Sequence, residues 1–300
     1  MSVRGGVRSS PNASLGSWVV GLLAVAIWGA TPAATKYAVA GIDPFAVGML
    51  RTALAGLAVI PAVWLLNLPL PRDGAGWRLL LISTASGFIG FPLLFSLALA
   101  HTSTAHAALV LAFAPILTGL IGATVERRRP GRSWWGGVAV ALAGVAALIL
   151  LRGRNSGEAT LYGDLLALGA CLAVAGGYVA GSRLSSSIGA WSVTAWGAIL
   201  GCVVLLPVLA VLFLAGGWPD AGWVAWTATA WLALFSSLLA YVAWYWALAA
   251  GGVARISTLQ FLQPAVTLAI AAAVFAEPMT PGLLMSAAAI LVGVAMARRG

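Results

Sequence analysis

The chain has 300 residues, of which 62% are hydrophobic and only 8% are charged. Soluble globular domains carry about 25% charged residues, and about half of their residues are apolar. This chain has too few charges to cover a soluble protein of its size, which excludes a soluble enzyme of one or two domains and a disordered chain. The formal net charge of +9 is compatible with a nucleic-acid partner, so the positions of the basic residues must be considered.

Long apolar runs follow one another along the chain, separated by short connectors with Arg, Pro or Gly. A bilayer core about 30 Å thick is crossed by about 20 helical residues, at about 1.5 Å of rise each. The long polar–apolar alternation of a membrane β-barrel is missing. The sequence therefore predicts an all-α integral membrane protein with ten transmembrane helices, at residues 16–38, 45–66, 78–99, 104–125, 134–151, 161–182, 191–214, 224–248, 254–275 and 281–297.

The first apolar run resembles a secretory signal peptide. Arg4 and Arg8 precede it, and Ala30–Ala33 is similar to a cleavage site. The run continues to Tyr37, however, and no soluble segment follows it, so we expect an uncleaved first helix. If the N-terminus is cytoplasmic, ten crossings return the C-terminus to the same side.

Basic residues concentrate on one side of this predicted topology. The arginines on the cytoplasmic side are Arg4, Arg8, Arg72, Arg78, Arg127, Arg128, Arg129, Arg132, Arg183, Arg255, Arg298 and Arg299. Because Lys and Arg accumulate in cytoplasmic loops, we expect both termini in the cytoplasm of a bacterial cell, with the chain in its inner membrane. The cluster from Arg127 to Arg132 then lies beside anionic lipid headgroups, and we expect no nucleic-acid partner.

Groups for catalysis or metal binding are scarce. Cys171 and Cys202 lie in apolar runs, and the two histidines, His101 and His106, lie at one predicted membrane edge. These residues have neither the spacing of a disulfide framework nor that of a Cys/His metal site. A nucleophile–base pair and an acidic dyad are also missing. We therefore expect no cofactor, no metal and no enzymatic activity, while a channel or structural membrane protein stays open as an alternative.

The two halves of the sequence match when one is shifted along the other by 149 residues, or by 147 residues near the start of each half. The shift aligns Ala98–Ala100 with Ala247–Ala249, Pro115 with Pro264, Thr118 with Thr267, and Gly144–Ala146 with Gly293–Ala295. We predict two five-helix repeats, residues 1–152 and 153–300. Because five is odd, the second repeat enters the membrane from the opposite face, so the repeats are inverted. Inverted repeats are typical of alternating-access transporters with a site near the midplane.

Short motifs are spread over nearly the whole chain. They are Ala26-Ile27-Trp28-Gly29 and Lys36, then Asp43-Pro44-Phe45 and Arg51, then Glu126 and Glu277 after the proline-containing helices, and Gly144-Val145 and Gly293-Val294. With these motifs the chain resembles the drug/metabolite transporter superfamily in its ten-helix EamA branch. The resemblance implies an exporter of amino acids or other metabolites, and similar members include aromatic amino-acid exporters of the YddG type. The second half departs from the pattern, with Ala175-Gly176 in place of Trp-Gly and Ala198 in place of arginine.

Polar residues within the apolar runs are candidate substrate contacts, because a polar side chain that faces lipid is costly. Two stripes at helical spacing are predicted: Trp28, Thr31 and Thr35 on the first helix, with Tyr178 as the repeat partner of Thr31, and Gln260, Gln263 and Thr267 on the ninth helix. The amides can bind a zwitterion without adding net charge. Hydrogen bonding between helices is the alternative.

Aromatic residues form a second candidate set. They are Phe91 and Phe95 on the third helix, and Tyr241, Trp244 and Tyr245 on the eighth. An aromatic cavity suits apolar or aromatic substrates and attracts an ammonium group through cation–π contact. The alternative for these residues is helix packing or an interfacial belt.

Six further residues are candidates for gates or hinges. His106 and Arg255 align at the starts of the fourth and ninth helices, where a solvated helix start and a snorkelling arginine are the alternatives. The prolines Pro32, Pro92, Pro115 and Pro264 interrupt predicted helices and permit bending, although a static kink is equally compatible with them. For Arg51, the match to the family implies a structural role.

The predicted midplane contains no carboxylate, because the acidic residues lie near helix ends. The resemblance extends to small multidrug transporters that couple export to protons through a buried glutamate in the first helix, which this chain lacks. We therefore expect facilitated flow of neutral or zwitterionic solutes. The expected partners are a small-molecule substrate, most of all an amino acid, and membrane lipid. A hydrophobic drug is the alternative substrate, and a monomer is compatible with the sequence.

Overall fold

The structure, a computed structural model, describes residues 15–125, 131–150, 160–251, 259 and 262–297. All regular secondary structure in these residues is helical, which confirms the predicted all-α class. The α-helices are α1 Leu15–Val39, α2 Pro44–Leu66, α3 Gly74–Ser83, α4 Phe91–His101, α5 Thr104–Leu111, α6 Ala114–Val125, α7 Arg132–Leu150, α8 Leu161–Ile188, α9 Ala190–Gly216, α10 Trp223–Trp231, α11 Ala240–Gly251, α12 Leu262–Phe275 and α13 Pro281–Ala297. Two π-helical segments, Thr84–Gly90 and Leu232–Leu239, join α3 to α4 and α10 to α11.

Seven helical stretches within the described residues are long and apolar enough to cross a bilayer. They are Leu15–Val39, Pro44–Leu66, Gly74–His101, Thr104–Gly122, Leu161–Ile188, Ala190–Gly216 and Trp223–Trp244. The helix α7 occupies the fifth predicted run, and α12 and α13 lie in the last two predicted runs as shorter apolar helices. The chain is therefore a helical membrane protein, and the number of ten crossings stays a prediction.

Capping side chains explain where several helices begin. The Asp43 carboxylate accepts a hydrogen bond from the Ala46 N–H at 3.0 Å, and Pro44 occupies the first turn of α2, where an amide hydrogen is not needed. The Thr160 hydroxyl accepts a bond from the Gly163 N–H at 3.0 Å and caps α8. Both starts agree with the second and sixth predicted runs.

The fourth predicted helix, at 104–125, is not continuous. Its first part, α5, ends at Leu111, and α6 begins at Ala114 with Pro115 as its second residue. Proline has no amide hydrogen to offer the Leu111 carbonyl, so the regular helix breaks there. Pro115 therefore lies at a helix start and not midway along a helix. Leu111 and Ala112, at the break, border an internal cavity.

The third and eighth predicted runs each contain a π-helical segment, a feature that the periodicity of the sequence did not predict. Their first residues, Thr84 and Leu232, are 148 positions apart, close to the shift that aligns the two halves. Pro92 is the second residue of α4, directly after the first segment. π-Helical turns are rare and occur frequently at functional sites.

Small residues allow the helices to approach closely. A Cβ atom on Gly56 of α2 would lie 2.5 Å from the Ala198 carbonyl oxygen of α9. A Cβ atom on Gly144 of α7 would lie 2.9 Å from the Ile290 nitrogen of α13. Such contacts provide van der Waals packing in a bilayer, where lipid is as apolar as the helices. Ala198 stands where the first half has Arg51, and a side chain that small suits the close crossing of α2 and α9.

Candidate functional site

A cavity of about 270 Å³ lies among the helices, bordered by α1, α2, α4, α5, α6, α8, α11, α12 and α13 and by the second π-helical segment. Its volume is just below the range of about 300–1,000 Å³ that is typical of small-molecule sites. Six of the predicted substrate contacts line it: Trp28, Thr31, Phe91, Tyr178, Tyr241 and Gln263. Thr267 of the predicted polar stripe and the predicted hinge residues Pro32 and Pro264 line it as well.

Arg51 projects from α2 into the cavity lining, and its side chain is only 3% exposed. Its Nε donates to the Ser237 hydroxyl at 2.8 Å, and its Nη2 donates to the Ser236 hydroxyl at 2.9 Å. The guanidinium carbon lies 5.5 Å from the centre of the Phe91 ring. Within the described part of the chain, Nη1 has no hydrogen-bond partner. Arg51 is thus buried in the bundle and does not snorkel to the membrane surface.

Ser236, in the second π-helical segment, joins three elements at the cavity. Besides accepting from Arg51, its hydroxyl shares a hydrogen bond with the Thr31 hydroxyl at 2.8 Å. Its carbonyl accepts from the Trp28 indole N–H at 3.1 Å. Ser236 is not among the residues predicted from the sequence, although two adjacent serines in an apolar run of the eighth helix are a usable signal. This network fixes the orientation of Trp28 and Arg51 at the cavity.

An aromatic wall, formed by Trp28, Tyr178, Tyr241 and Phe91, lines the same cavity and adjoins this polar network at Trp28 and Phe91. The Trp28 and Tyr241 rings meet edge to face with centroids 5.2 Å apart, and the Tyr178 and Tyr241 centroids are 6.2 Å apart. Edge-to-face and tilted pairs of this kind are the favoured geometries of aromatic contacts. The cavity lining therefore includes four aromatic side chains, two of which carry hydroxyl groups.

Four predicted site residues lie behind the cavity lining. Phe95 is fully buried and stacks on Phe91, with ring centroids 5.3 Å apart. Thr35 is fully buried and donates to the Thr31 carbonyl at 2.8 Å. Trp244 packs against Trp28 at 5.6 Å, and Pro92 is buried at the start of α4. These residues support the lining, because their helical positions point them toward neighbouring helices.

Other predicted residues fall on parts of the chain that are not described. Gln260 and Arg255 lie outside the described residues. Tyr245 belongs to α11 and Pro115 to α6, but their side chains lie outside the described part. Their roles at the site stay predictions.

Lys36, Thr102, His106, Asp164 and Glu277 form a polar end cluster at one end of the bundle. The Thr102 hydroxyl donates to the Asp164 carboxylate at 2.9 Å, and the Lys36 ammonium donates to the Thr102 carbonyl at 3.5 Å. The His106 Nδ1 lies 3.4 Å from the Asp164 carboxylate, without the alignment of a hydrogen bond. His106 is only 5% exposed and Asp164 is fully buried. His106 is therefore not the solvated helix start that was the alternative to a gate.

Glu277 completes the polar end cluster from the second half of the chain. Its two carboxylate oxygens accept the Thr104 and Ala105 N–H groups, each at 2.9 Å. These are free amides of the first turn of α5, where a negative charge is favoured. The contact links the connector after α12 to α5, so it ties the two halves together at this end.

The described residues contain no group of three or more His, Cys, Asp or Glu side chains that could hold a metal ion. Cys171 and Cys202 are buried as free thiols. The polar groups that line the cavity are hydroxyls, an indole, an amide and one guanidinium.

Comparisons with known proteins agree with this architecture. The model of the EamA-like transporter family matches residues 16–150 and again residues 161–299. The chain is 32% identical over 290 residues to the uncharacterized transporter YdeK of Bacillus subtilis (strain 168), covering 96% of this chain and 99% of the relative. It is 26% identical over 278 residues to a probable terminal-alkyne amino-acid exporter of Streptantibioticus cattleyicolor, and this match covers 93% of this chain and 92% of the relative.

A solved crystal structure shares the fold. The match covers 94% of this chain and 96% of the chain in the crystal structure, with a TM-score of 0.63 and 23% sequence identity. At that identity the likeness concerns the fold alone. The family model, which covers both halves, shows that the chain belongs to the EamA-like transporter family of membrane proteins.

Proposed function

We propose that the protein exports small metabolites, amino acids above all, across the bacterial inner membrane by alternating access. The observation that carries this proposal is the cavity of about 270 Å³, which combines a polar network with an aromatic wall. A site of that size and character suits a neutral or zwitterionic solute with an apolar or aromatic side chain. The relative from Streptantibioticus cattleyicolor, whose name is that of a probable amino-acid exporter, supports an amino-acid cargo.

In this proposal residues 1–152 and 153–300 are inverted five-helix repeats, and both termini are cytoplasmic. The double match of the family model supports the division. The two π-helical segments, at nearly equivalent positions of the two halves, support it further. Exchange between two packings of the halves would expose the cavity to one side of the membrane and then to the other.

Within the cavity, Trp28, Tyr178 and Tyr241 contact the apolar part of the substrate. Thr31 and the Gln263 amide bind its polar groups. Pro32, inside α1, provides a bending point where a main-chain hydrogen bond is missing, and Pro264, the third residue of α12, provides a second one at a helix start. The cavity volume, which is small for a drug-sized molecule, favours metabolites over the alternative of hydrophobic drugs.

The proposed site is tested by measuring the uptake of labelled amino acids into proteoliposomes. The wild type is compared with the variants Trp28→Ala and Gln263→Ala. We expect each variant to weaken transport of at least one amino acid about 10-fold, because it removes a direct contact. Trp64→Ala is the matched control, since Trp64 is 79% exposed on α2 and faces away from the cavity. If neither cavity variant alters transport, the site is wrong; if drugs compete and amino acids do not, the alternative substrate is right.

We further propose facilitated transport without a proton carrier. The described lining of the cavity includes no Asp or Glu, and Asp164 and Glu277 are engaged at the polar end cluster. Carboxylates inside the membrane are the usual proton relays of transporters. An imposed pH gradient across proteoliposomes should therefore leave the final internal concentration of substrate close to the external one. Strong accumulation driven by the gradient would contradict this mode.

A further inference from the structure

We propose that Arg51 binds a carboxylate group of the substrate, so that the cargo is a carboxylate-bearing metabolite with an apolar or aromatic side chain. This inference rests on the proposed function, because it names the substrate class of the same cavity. The match to the family implied only a structural role for this residue. Three observations on Arg51 support a binding role instead.

The first observation is an uncompensated buried charge. Arg51 is 3% exposed, and its hydrogen bonds within the described chain go to two neutral hydroxyls, those of Ser236 and Ser237. No ion pair to Arg51 occurs among the described residues, and no acidic residue is among those that line the cavity. A buried cation is normally paired, because burial removes the water that stabilises it. A substrate carboxylate would supply the missing negative charge.

The second observation is the unused edge of the guanidinium. Its Nε and one N–H of Nη2 are engaged by the two serines, whereas Nη1 has no hydrogen-bond partner among the described residues. Nη1 and the second N–H of Nη2 form the end of the guanidinium fork. A carboxylate binds such an edge with two parallel hydrogen bonds, which is the strongest arrangement for this pair of groups.

The third observation is that the guanidinium is held in place before any ligand arrives. Ser236 and Ser237 fix one edge of it, and Phe91 lies against it at 5.5 Å. A preorganised donor loses little conformational entropy on binding. The aromatic wall of Trp28, Tyr178 and Tyr241 lines the same cavity, so a ligand with its carboxylate on Arg51 can place an apolar or aromatic group, or an ammonium, on those rings.

The experiment compares three ligands that share one side chain: phenylalanine, phenylalaninamide and phenethylamine. Binding is measured by displacement of labelled phenylalanine from purified protein in nanodiscs, and by ligand-induced thermal stabilisation. In the wild type, phenylalanine should bind about 10- to 100-fold more tightly than the other two, because hydrogen bonds to a charged group are lost with the carboxylate. Equal binding of all three ligands would overturn the proposal without any variant.

Variants then assign the preference to Arg51. Arg51→Gln should weaken the binding of phenylalanine about 10- to 100-fold and leave the binding of phenethylamine unchanged. Arg51→Lys should keep part of the preference for phenylalanine, since lysine keeps the positive charge but lacks the planar fork of the guanidinium. Arg183→Gln is the matched control, because Arg183 is exposed on α8. A monodisperse elution profile and an unchanged melting temperature of Arg51→Lys exclude misfolding as the cause.

The outcomes separate this inference from the proposed function. If the wild type transports phenylalanine and Arg51→Gln binds it equally well, the exporter stands and the carboxylate site is wrong. If the wild type transports no amino acid but simple aromatic carboxylates, such as phenylacetate, stabilise it only when Arg51 is present, the site stands and the amino-acid exporter is wrong.

Discussion

Ser236 has a small side chain, but it forms hydrogen bonds with three of the residues that line the cavity. One hydroxyl and one carbonyl of this residue contact Trp28, Thr31 and Arg51, which come from α1 and α2. All these groups are buried and cannot form hydrogen bonds with water, so they depend on the hydrogen bonds that they form with each other. The orientation of the indole and of the guanidinium therefore depends on one serine.

We expect Ser236→Ala to lower the free energy of unfolding by about 1–3 kcal/mol, because Thr31 and Arg51 each lose a buried partner. Thermal unfolding in detergent micelles measures the change. Ser186→Ala is the control, since the exposed Ser186 hydroxyl bonds only to the Arg183 carbonyl within its own helix. The control should stay within about 0.5 kcal/mol of the wild type. A Ser236→Ala protein as stable as the control would refute the role of this network.

At the level of single residues, the sequence predicts which side chains share one face of a helix. It does not predict which side chains meet when segments far apart in the chain pack together. Trp28 and Thr31 share a face of the first helix, and both line the cavity. Phe91 and Phe95 are one turn apart on α4, yet only Phe91 reaches the cavity, because tertiary packing buries Phe95. The bond between Arg51 and Ser236 joins residues 185 positions apart, and no local pattern encodes it.

The helix α2, which carries Arg51, crosses α9 closely at the residue next to Arg51. Thr52, the next residue after Arg51, donates to the Phe88 carbonyl and presents its methyl group to Gly201 of α9. A Cβ atom on Gly201 would lie 2.7 Å from that methyl carbon, and the next atom is 3.7 Å away. At this point of the crossing, the Thr52 methyl group limits how closely the two helices approach.

Gly201→Ala should destabilise the protein by about 1–3 kcal/mol through overpacking. Adding Thr52→Ser should restore stability to within about 0.5 kcal/mol of Thr52→Ser alone, because it removes the methyl group and keeps the hydroxyl. A double-mutant cycle of melting temperatures measures the coupling. If Thr52→Ser gives no relief, the described crossing geometry is wrong.

The sequence predicts where helices begin better than it predicts irregularities within them. Capping residues such as Asp43 and Thr160 lie next to apolar runs, and the predicted starts agree with the structure. The π-helical segments were missed, because an inserted π turn barely changes the composition of an apolar run. Pro115 was expected to be a bending point or a static kink within one helix, whereas α5 ends before it, at Leu111, because proline lacks the amide hydrogen that would continue the helix.

For the whole molecule, the described structure places a cavity among the helices and a polar end cluster at one end of the bundle. Contacts from Asp164 and Glu277 to residues between Thr102 and His106 join segments of the first and second halves. If the protein works by the proposed alternating access, this end is the closed side and has to open when the halves exchange their packing. Composition alone predicted a membrane protein, whereas the polar end cluster depends on contacts between residues far apart in the chain.

The most direct test of the central claim is counterflow in proteoliposomes. Vesicles containing the wild type are loaded with unlabelled phenylalanine, and uptake of external labelled phenylalanine is followed over time. An alternating-access exporter predicts saturable uptake that the internal substrate accelerates, with a transient excess of label inside. Uptake that rises linearly with concentration and ignores the internal substrate would indicate a channel, and the absence of uptake for every amino acid tried would contradict the proposed function.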